Sequence, residues 1–276
     1  MKYIFFLFTL SLLFTARPAS ALDPKKEYEF TPDMFGLKYE EHKIPSTNGA
    51  ELMAWYFPPP DRSTNLMIIS DDGNGNMADN LDIVAQFQSL GYGVLTYDYR
   101  GYGKSSDFKI VNKLYIYPQF ADDLNAVCDY AKRNMTLHFS LYGVGIGGGL
   151  SIGVGMDRRE TQYLIGDSPY PTLEYMKNKL QEEKEMNVMI PPVFNKNYEP
   201  KYALETKELP RLLKGVLIIV GENDKIVGPD MAKDLQKLQK KMVEVYIAEA
   251  ADSENTFSSN NNKYFVAIKE FMDSNP

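Results

Sequence analysis

The residues of this chain whose spacing first suggests chemistry are glycines. GVGIGGG, residues 143–149, lies between an apolar stretch and a helix-forming run. Two chemistries use glycine at such a strand-to-helix turn. Gly143, Gly145 and Gly148 satisfy G-x-G-x-x-G, where bare backbone lets a pyrophosphate approach a helix N-terminus. Asp167 then stands 19 residues beyond Gly148, near the position of a ribose-binding acid. Gly143 and Gly147 equally frame G-x-S-x-G, the sharp turn that presents a nucleophile, with Gly145 at the centre instead of serine. The first pattern normally opens a fold, whereas here four strand-like segments precede it.

Other reactive groups are sparse. The chain has two histidines, His42 and His138, and one cysteine, Cys128, so a zinc site built from Cys and His is hard to assemble. Cys128 sits in a helical pattern and reads as a buried thiol. Asp72-x-Asn74-x-Asn76 imitates the start of a calcium loop. Met77 and Ile83 stand where that loop needs glycine and glutamate, so no metal is expected. Ser70, Ser105, Ser151 and Ser168 lie near the expected edge of the site and are conceivable substitute nucleophiles, though none sits at the glycine turn and none has a histidine partner. Lys104 reads as a solvent-facing base.

The elements that must position these groups alternate. Residues 37–44 and 51–57 read as two strands joined across an Asn48-Gly49 turn. Short apolar strands follow at 65–70, 93–97, 137–142, 162–165, 216–220 and 243–247. Helical spacing covers 79–90, 119–133, the glycine turn to about 156, 173–185, 229–240 and 263–272. Fully apolar strands imply burial on both faces, hence a mostly parallel sheet with helices on each side. In such sheets the site gathers beyond the carboxyl ends of the strands.

Five segments carry a family resemblance. GYGVLTYDYRGYGKS (91–105), GVLIIVGENDKIVGP (215–229), LMIISDDGNG (66–75), DSPYPT (167–172) and the elbow at 143–147 resemble, in order, segments of α/β-hydrolase-fold proteins. The chain is most similar to the esterase- and peptidase-like branch with little or no lid. The resemblance spans roughly residues 37–273. It implies an α/β-hydrolase fold with an eight-stranded, mostly parallel sheet. It also implies that the triad positions are Gly145, Asp224 and Ser253, the last within AADSENT (250–256). The oxyanion-loop positions are then Asp72, Gly73 and Ile146.

Triad chemistry needs a hydroxyl to attack, an imidazole to carry the proton and a carboxylate to hold the imidazole. Gly145 has no side chain, Ser253 replaces the imidazole, and no histidine follows His138. His138 lies seven residues before Gly145, or roughly 23 Å along a strand at ~3.3 Å per residue, so it belongs to the far end of the sheet. Asp72 stands where a histidine is usual. Two like charges 4 Å apart repel by about 4 kcal/mol at an effective dielectric of 20. That offsets the ~2.7–4 kcal/mol that one oxyanion donor supplies.

The 276 residues carry 30 Lys+Arg against 37 Asp+Glu, a net charge of −7, which disfavours nucleic-acid binding through bulk charge. Lys2, an apolar run over residues 3–15 and the small-x-small pattern Ala19-Ser20-Ala21 read as a secretory signal peptide. Its removal takes Lys2 and Arg17 but no acid, so the net charge becomes −9. No later stretch is long enough to span a membrane. The expected organisation is a signal peptide at 1–21 and a single α/β-hydrolase domain at 22–276. The expected protein is exported, to the periplasm or the medium, and binds a small molecule or a protein partner without cofactor or metal. A divergent serine hydrolase acting on esters or amides through an unrecognised nucleophile is the alternative. A dinucleotide-binding oxidoreductase survives only through the glycines.

Overall fold

The computed structural model describes residues 21–206, 208–259 and 261–276. The signal peptide read at 1–21 lies outside the described residues except for Ala21. Eight strands build one sheet: β1 (Glu40–Pro45), β2 (Glu51–Phe57), β3 (Leu66–Ser70), β4 (Gly93–Tyr97), β5 (Phe139–Val144), β6 (Thr161–Asp167), β7 (Gly215–Gly221) and β8 (Val243–Ala248). Their spatial order is β1-β2-β4-β3-β5-β6-β7-β8. β2 runs antiparallel to both its neighbours, and every other pairing is parallel.

The helices are α1 (Leu81–Ser89), α2 (Pro118–Asn134), α3 (Gly145–Met156), α4 (Leu173–Lys184), α5 (Pro200–Leu204), α6 (Pro229–Leu238), α7 (Thr256–Ser259) and α8 (Asn261–Ser274). Alternation along each strand divides the core into two layers. Leu66 and Ile68 of β3, with Val216, Ile218 and Val220 of β7, pack beneath α2, α3, α4, α5 and α6. Met67 and Ile69, with Leu217 and Ile219, pack beneath α1 and α8 on the opposite face. All seven residues of β7 are buried, as its unbroken apolar sequence predicts. Cys128 lies fully inside the first layer, and burial pushes its thiol up to about 12.

Beneath the sheet end, Arg100 and Asp123 pin the turn after β4 to α2. Asp123 Oδ1 lies 2.5 Å from Arg100 Nη2, and Arg100 also reaches the hydroxyls of Ser46 and Thr47. Both partners of this ion pair are buried. No described helix is long and apolar enough to cross a membrane.

Candidate functional site

Strand β5 passes into α3 without a loop, and Gly145 makes the corner at φ +53°. That left-handed geometry strains a residue with a Cβ but not glycine. A Cβ built on Gly145 would stand 3.4 Å from Asp72 Cβ, which is ordinary van der Waals contact. Position 145 therefore has room for a side chain; backbone strain is what opposes one. Gly147 differs. A Cβ there would lie 2.3 Å from the Ser70 carbonyl oxygen, because α3 starts jammed against the end of β3. The glycine pattern thus serves a tight turn and close helix–strand packing.

Gly145, Ile146, Asp72 and Ser253 line one cleft of about 480 Å³ at the carboxyl end of the sheet. Ile83, Ile146, Met176, Leu180, Val227 and Phe257 supply apolar wall. Asp72, Asp79, Asp167 and Glu254 supply four acids against the single cation Lys184. Gly73 is buried behind the loop, where its N–H donates to Asp71 Oδ1 at 2.9 Å. Asp224 lines an adjoining pocket of about 250 Å³, which Ser253 also lines. The structure thus brings Gly145, Asp72, Ile146 and Ser253 together and sets Asp224 next door.

Asp224 Oδ1 accepts the N–H groups of Ile226 at 2.7 Å and Val227 at 2.9 Å. Its Oδ2 is buried with no hydrogen-bond partner among the described residues. An imidazole N–H would ordinarily satisfy such an oxygen. His42 is no substitute, because its Nδ1 lies 2.8 Å from the Tyr130 hydroxyl, on β1. His138 precedes β5, at the end of the sheet opposite the cleft.

Two buried acids stand out: Asp71, which sequence spacing does not single out, and Asp167, which it offers only as a ribose-binding acid. Asp71 accepts from Gly73 N and, at 3.0 Å, from Asn80 Nδ2. Burial, reinforced by Asp72, pushes its carboxyl well above the usual range. Burial also raises Asp72, against the lowering effect of the Asn74 N–H bond. Asp167, at the end of β6, lines the cleft itself. Its Oδ2 accepts from Thr256 Oγ1 and Tyr264 Oη, each at 2.6 Å, and its Oδ1 accepts from Ser168 Oγ at 2.9 Å. Burial lifts Asp167 to about 6 in spite of those three donors.

Of the four serines weighed as nucleophiles, only Ser168 lines the cleft. Ser70 Oγ is buried 3.0 Å from the Tyr97 hydroxyl. Ser105 Oγ donates to the Asp98 carbonyl and accepts from Met53 N. Ser151 is fully buried in α3. Ser168 holds φ +49°. The imitation calcium loop is a helix cap, with Asn76 Oδ1 accepting from Ala78 N and Asp79 Oδ2 from Asn76 N. Lys184, the last residue of α4, borders the cleft.

No family model matches the chain. Esterase Pf2001 from Pyrococcus furiosus superposes with a TM-score of 0.74 at 17% identity, covering 92% of this chain and 97% of that one. The fold is that of the α/β-hydrolases. A lidless α/β serine hydrolase, XC6422 from Xanthomonas campestris, matches this α/β-hydrolase fold with a TM-score of 0.61 at 16% identity, over 86% and 94% of the two chains. By sequence, the uncharacterised protein YqkD of Bacillus subtilis is 24% identical over 97% of this chain and 91% of its own. WAV2 of Arabidopsis thaliana, an α/β-hydrolase domain-containing protein, is 33% identical over 86 residues, 30% of this chain and 28% of its own.

Proposed function

We propose that this α/β-hydrolase-fold protein is exported and non-catalytic, and that it uses the old acyl cleft to hold a small ligand or a partner's side chain. The observation that carries this reading is Gly145 at the elbow. The turn, the helix N-terminus and the acid are kept, while the attacking atom is gone. Three further features support it. No histidine follows His138 in the chain. Asp224 Oδ2 has no partner among the described residues. Asp72 lies against the elbow, where a carboxylate opposes a developing oxyanion. A cleft of about 480 Å³ falls within the range of small-molecule sites. The signal-peptide pattern ending at Ala21 supports export to the periplasm or the medium.

A second reading rests on Ser168. This serine holds a left-handed backbone in the cleft and donates to Asp167, a carboxylate lifted to about 6. Strained residues cluster at functional sites. A divergent hydrolase of esters or amides would use Ser168 as nucleophile and Asp167 as base, and the esterase and serine hydrolase among the structural neighbours are compatible with it.

Hydrolysis of short-chain p-nitrophenyl esters separates the two. The mature protein, Ser168→Ala and Asp224→Asn are assayed together against buffer. Turnover at the buffer rate in all three upholds the binding reading. Turnover that Ser168→Ala abolishes overturns it in favour of the hydrolase.

A further inference from the structure

Residues 21–25 are built into the cleft. Asp23 N–H donates to the Gly73 carbonyl at 3.1 Å and Lys25 N–H to the Gly75 carbonyl at 2.9 Å. Asp23 and Pro24 pair in parallel with Asn74 and Gly75. Gly103 N–H and Asn76 Nδ2 hold the Lys25 carbonyl from the other side. Leu22 is fully buried. Its Cδ2 and Ile146 Cδ1 converge on the same face of Gly73, 2.9 and 3.2 Å from where a Cβ would stand. Ala21 lines the cleft beside Asp72 and Gly145.

Two independent observations meet at this point. The small-x-small pattern Ala19-Ser20-Ala21 sets the processing bond between Ala21 and Leu22. The pairing of Asp23 with Asn74 leads the chain back so that Leu22 packs on Gly73 and Ala21 lines the cleft with Asp72. Asp71 and Asp72 are adjacent acids, the first buried and the second partly so. Among the described residues neither has a Lys or Arg within ion-pair distance. Burying acids without a counter-charge is costly.

We propose that signal-peptide removal completes this site: the new α-ammonium of Leu22 becomes the counter-ion of Asp72 on the cleft floor. The proposal rests on the export reading for the cut. A signal peptidase adds one water across the Ala21–Leu22 amide. The Ala21 carboxylate departs with the leader, and the Leu22 nitrogen takes up protons to become an ammonium with three donors. Ala21 also surrenders its N–H bond to the Asn112 carbonyl, which opens that end of the cleft. The groups around the amine are Asp23 on its own arm, Asp71, Asp72 and Asp79 after β3, Tyr102 after β4, and Tyr115 before α2. Acids outnumber cations there, so the charged amine is favoured. The unprocessed chain has an amide at this place and cannot carry the charge.

The test has two arms. The first is the N-terminal mass of protein secreted with its own leader. A start at Leu22 is expected, and any other start overturns the processing step. The second uses protein prepared to begin at Leu22, with a free or an acetylated amine, each also as Asp72→Asn. The pH dependence of labelling by an amine-reactive reagent gives the titration of the amine. It is expected above the ordinary range of about 7.7–8.0 and back within it in Asp72→Asn. Acetylation is expected to lower Tm by about 2–4 °C only when Asp72 is present. An amine that titrates in the ordinary range with Asp72 intact overturns the ion pair, as does an acetylated protein of equal Tm. Neither result bears on ester turnover, so the binding reading stands or falls separately.

Discussion

Thr256 Oγ1 donates to Asp167 Oδ2 at 2.6 Å, and this bond ties the loop after β8 to the end of β6. Tyr264 donates to the same oxygen, and its hydroxyl lies 2.9 Å from that of Tyr142. The loop that would carry a catalytic histidine in a hydrolase is therefore anchored three residues past Ser253 by a buried acid. Asp167 becomes a pH-sensitive part of the floor.

Asp167 titrates at about 6 when folded, against about 3.9 in an unfolded chain. The folded state thus holds its proton more tightly. The contribution to stability is complete below about pH 4 and is lost as pH rises through about 6. A two-unit difference corresponds to roughly 3 kcal/mol. Asp167→Asn is expected to flatten this part of the profile, measured as the difference between wild-type and variant urea midpoints from pH 4 to pH 7. Tyr264→Phe removes a donor that steadies the carboxylate, so it moves the Asp167 midpoint upward. A wild-type minus Asp167→Asn difference that does not change with pH would contradict the assignment.

At the elbow, Gly145→Ser is expected to lower stability by about 1–3 kcal/mol through backbone strain and to leave ester hydrolysis at the buffer rate. Gly147→Ala is expected to cost more, because its Cβ would lie 2.3 Å from a backbone oxygen that cannot turn aside. Paired urea melts and a p-nitrophenyl ester assay check both statements. Catalysis by Gly145→Ser well above background would mean that a working base persists in the cleft.

The buried pair Arg100–Asp123 has a structural role with a clear energetic signature. Asp123→Ala leaves a guanidinium buried without its carboxylate, which costs about 3–5 kcal/mol. The backbone N–H of Arg100 loses its acceptor as well. Chemical denaturation reads the loss. A cost below about 1 kcal/mol would show that Ser46 and Thr47 suffice to hold the guanidinium.

The sheet was legible because its central strands are apolar without interruption. Segments 51–57 and 93–97 match the observed strands, and 216–220 extends by one residue at each end. Leu137, read as a strand opening, is 76% exposed, and the strand starts at Phe139 because only there does the chain enter the core. Helix α5 escaped notice because five residues show no period. The positions Gly145, Asp72, Ile146 and Ser253 could be placed on one cleft from motif order alone. What motif order could not give is Asp167 with its partners Thr256 and Tyr264, which lie 89 and 97 residues away along the chain. The role of residues 21–25 was equally hidden, because backbone pairing to Asn74 and Gly75 leaves no side-chain pattern to read. Ser70, Ser105, Ser151 and Ser168 are all buried, and what separated Ser168 from the other three is its place on the cleft wall, which spacing does not report.

Asp224, at the position that the family resemblance assigns to a triad acid, tests whether such a carboxylate can persist for structure alone. One of its oxygens accepts two loop N–H groups, and the other is buried with no partner among the described residues. Asp224→Asn keeps an oxygen for the two N–H donors and exchanges an unsatisfied acceptor for a neutral amide. Its effect on stability is expected to stay within about 0.5 kcal/mol. Asp224→Ala orphans both donors, on the buried residues Ile226 and Val227, and is expected to cost about 1–3 kcal/mol. Urea midpoints of the two variants decide the matter. Equal losses would mean that the charge, not the hydrogen bonds, is what the fold retains. A mild Asn variant and a costly Ala variant would show that this carboxylate is kept to shape the turn between β7 and α6, whether or not anything reacts in the cleft beside it.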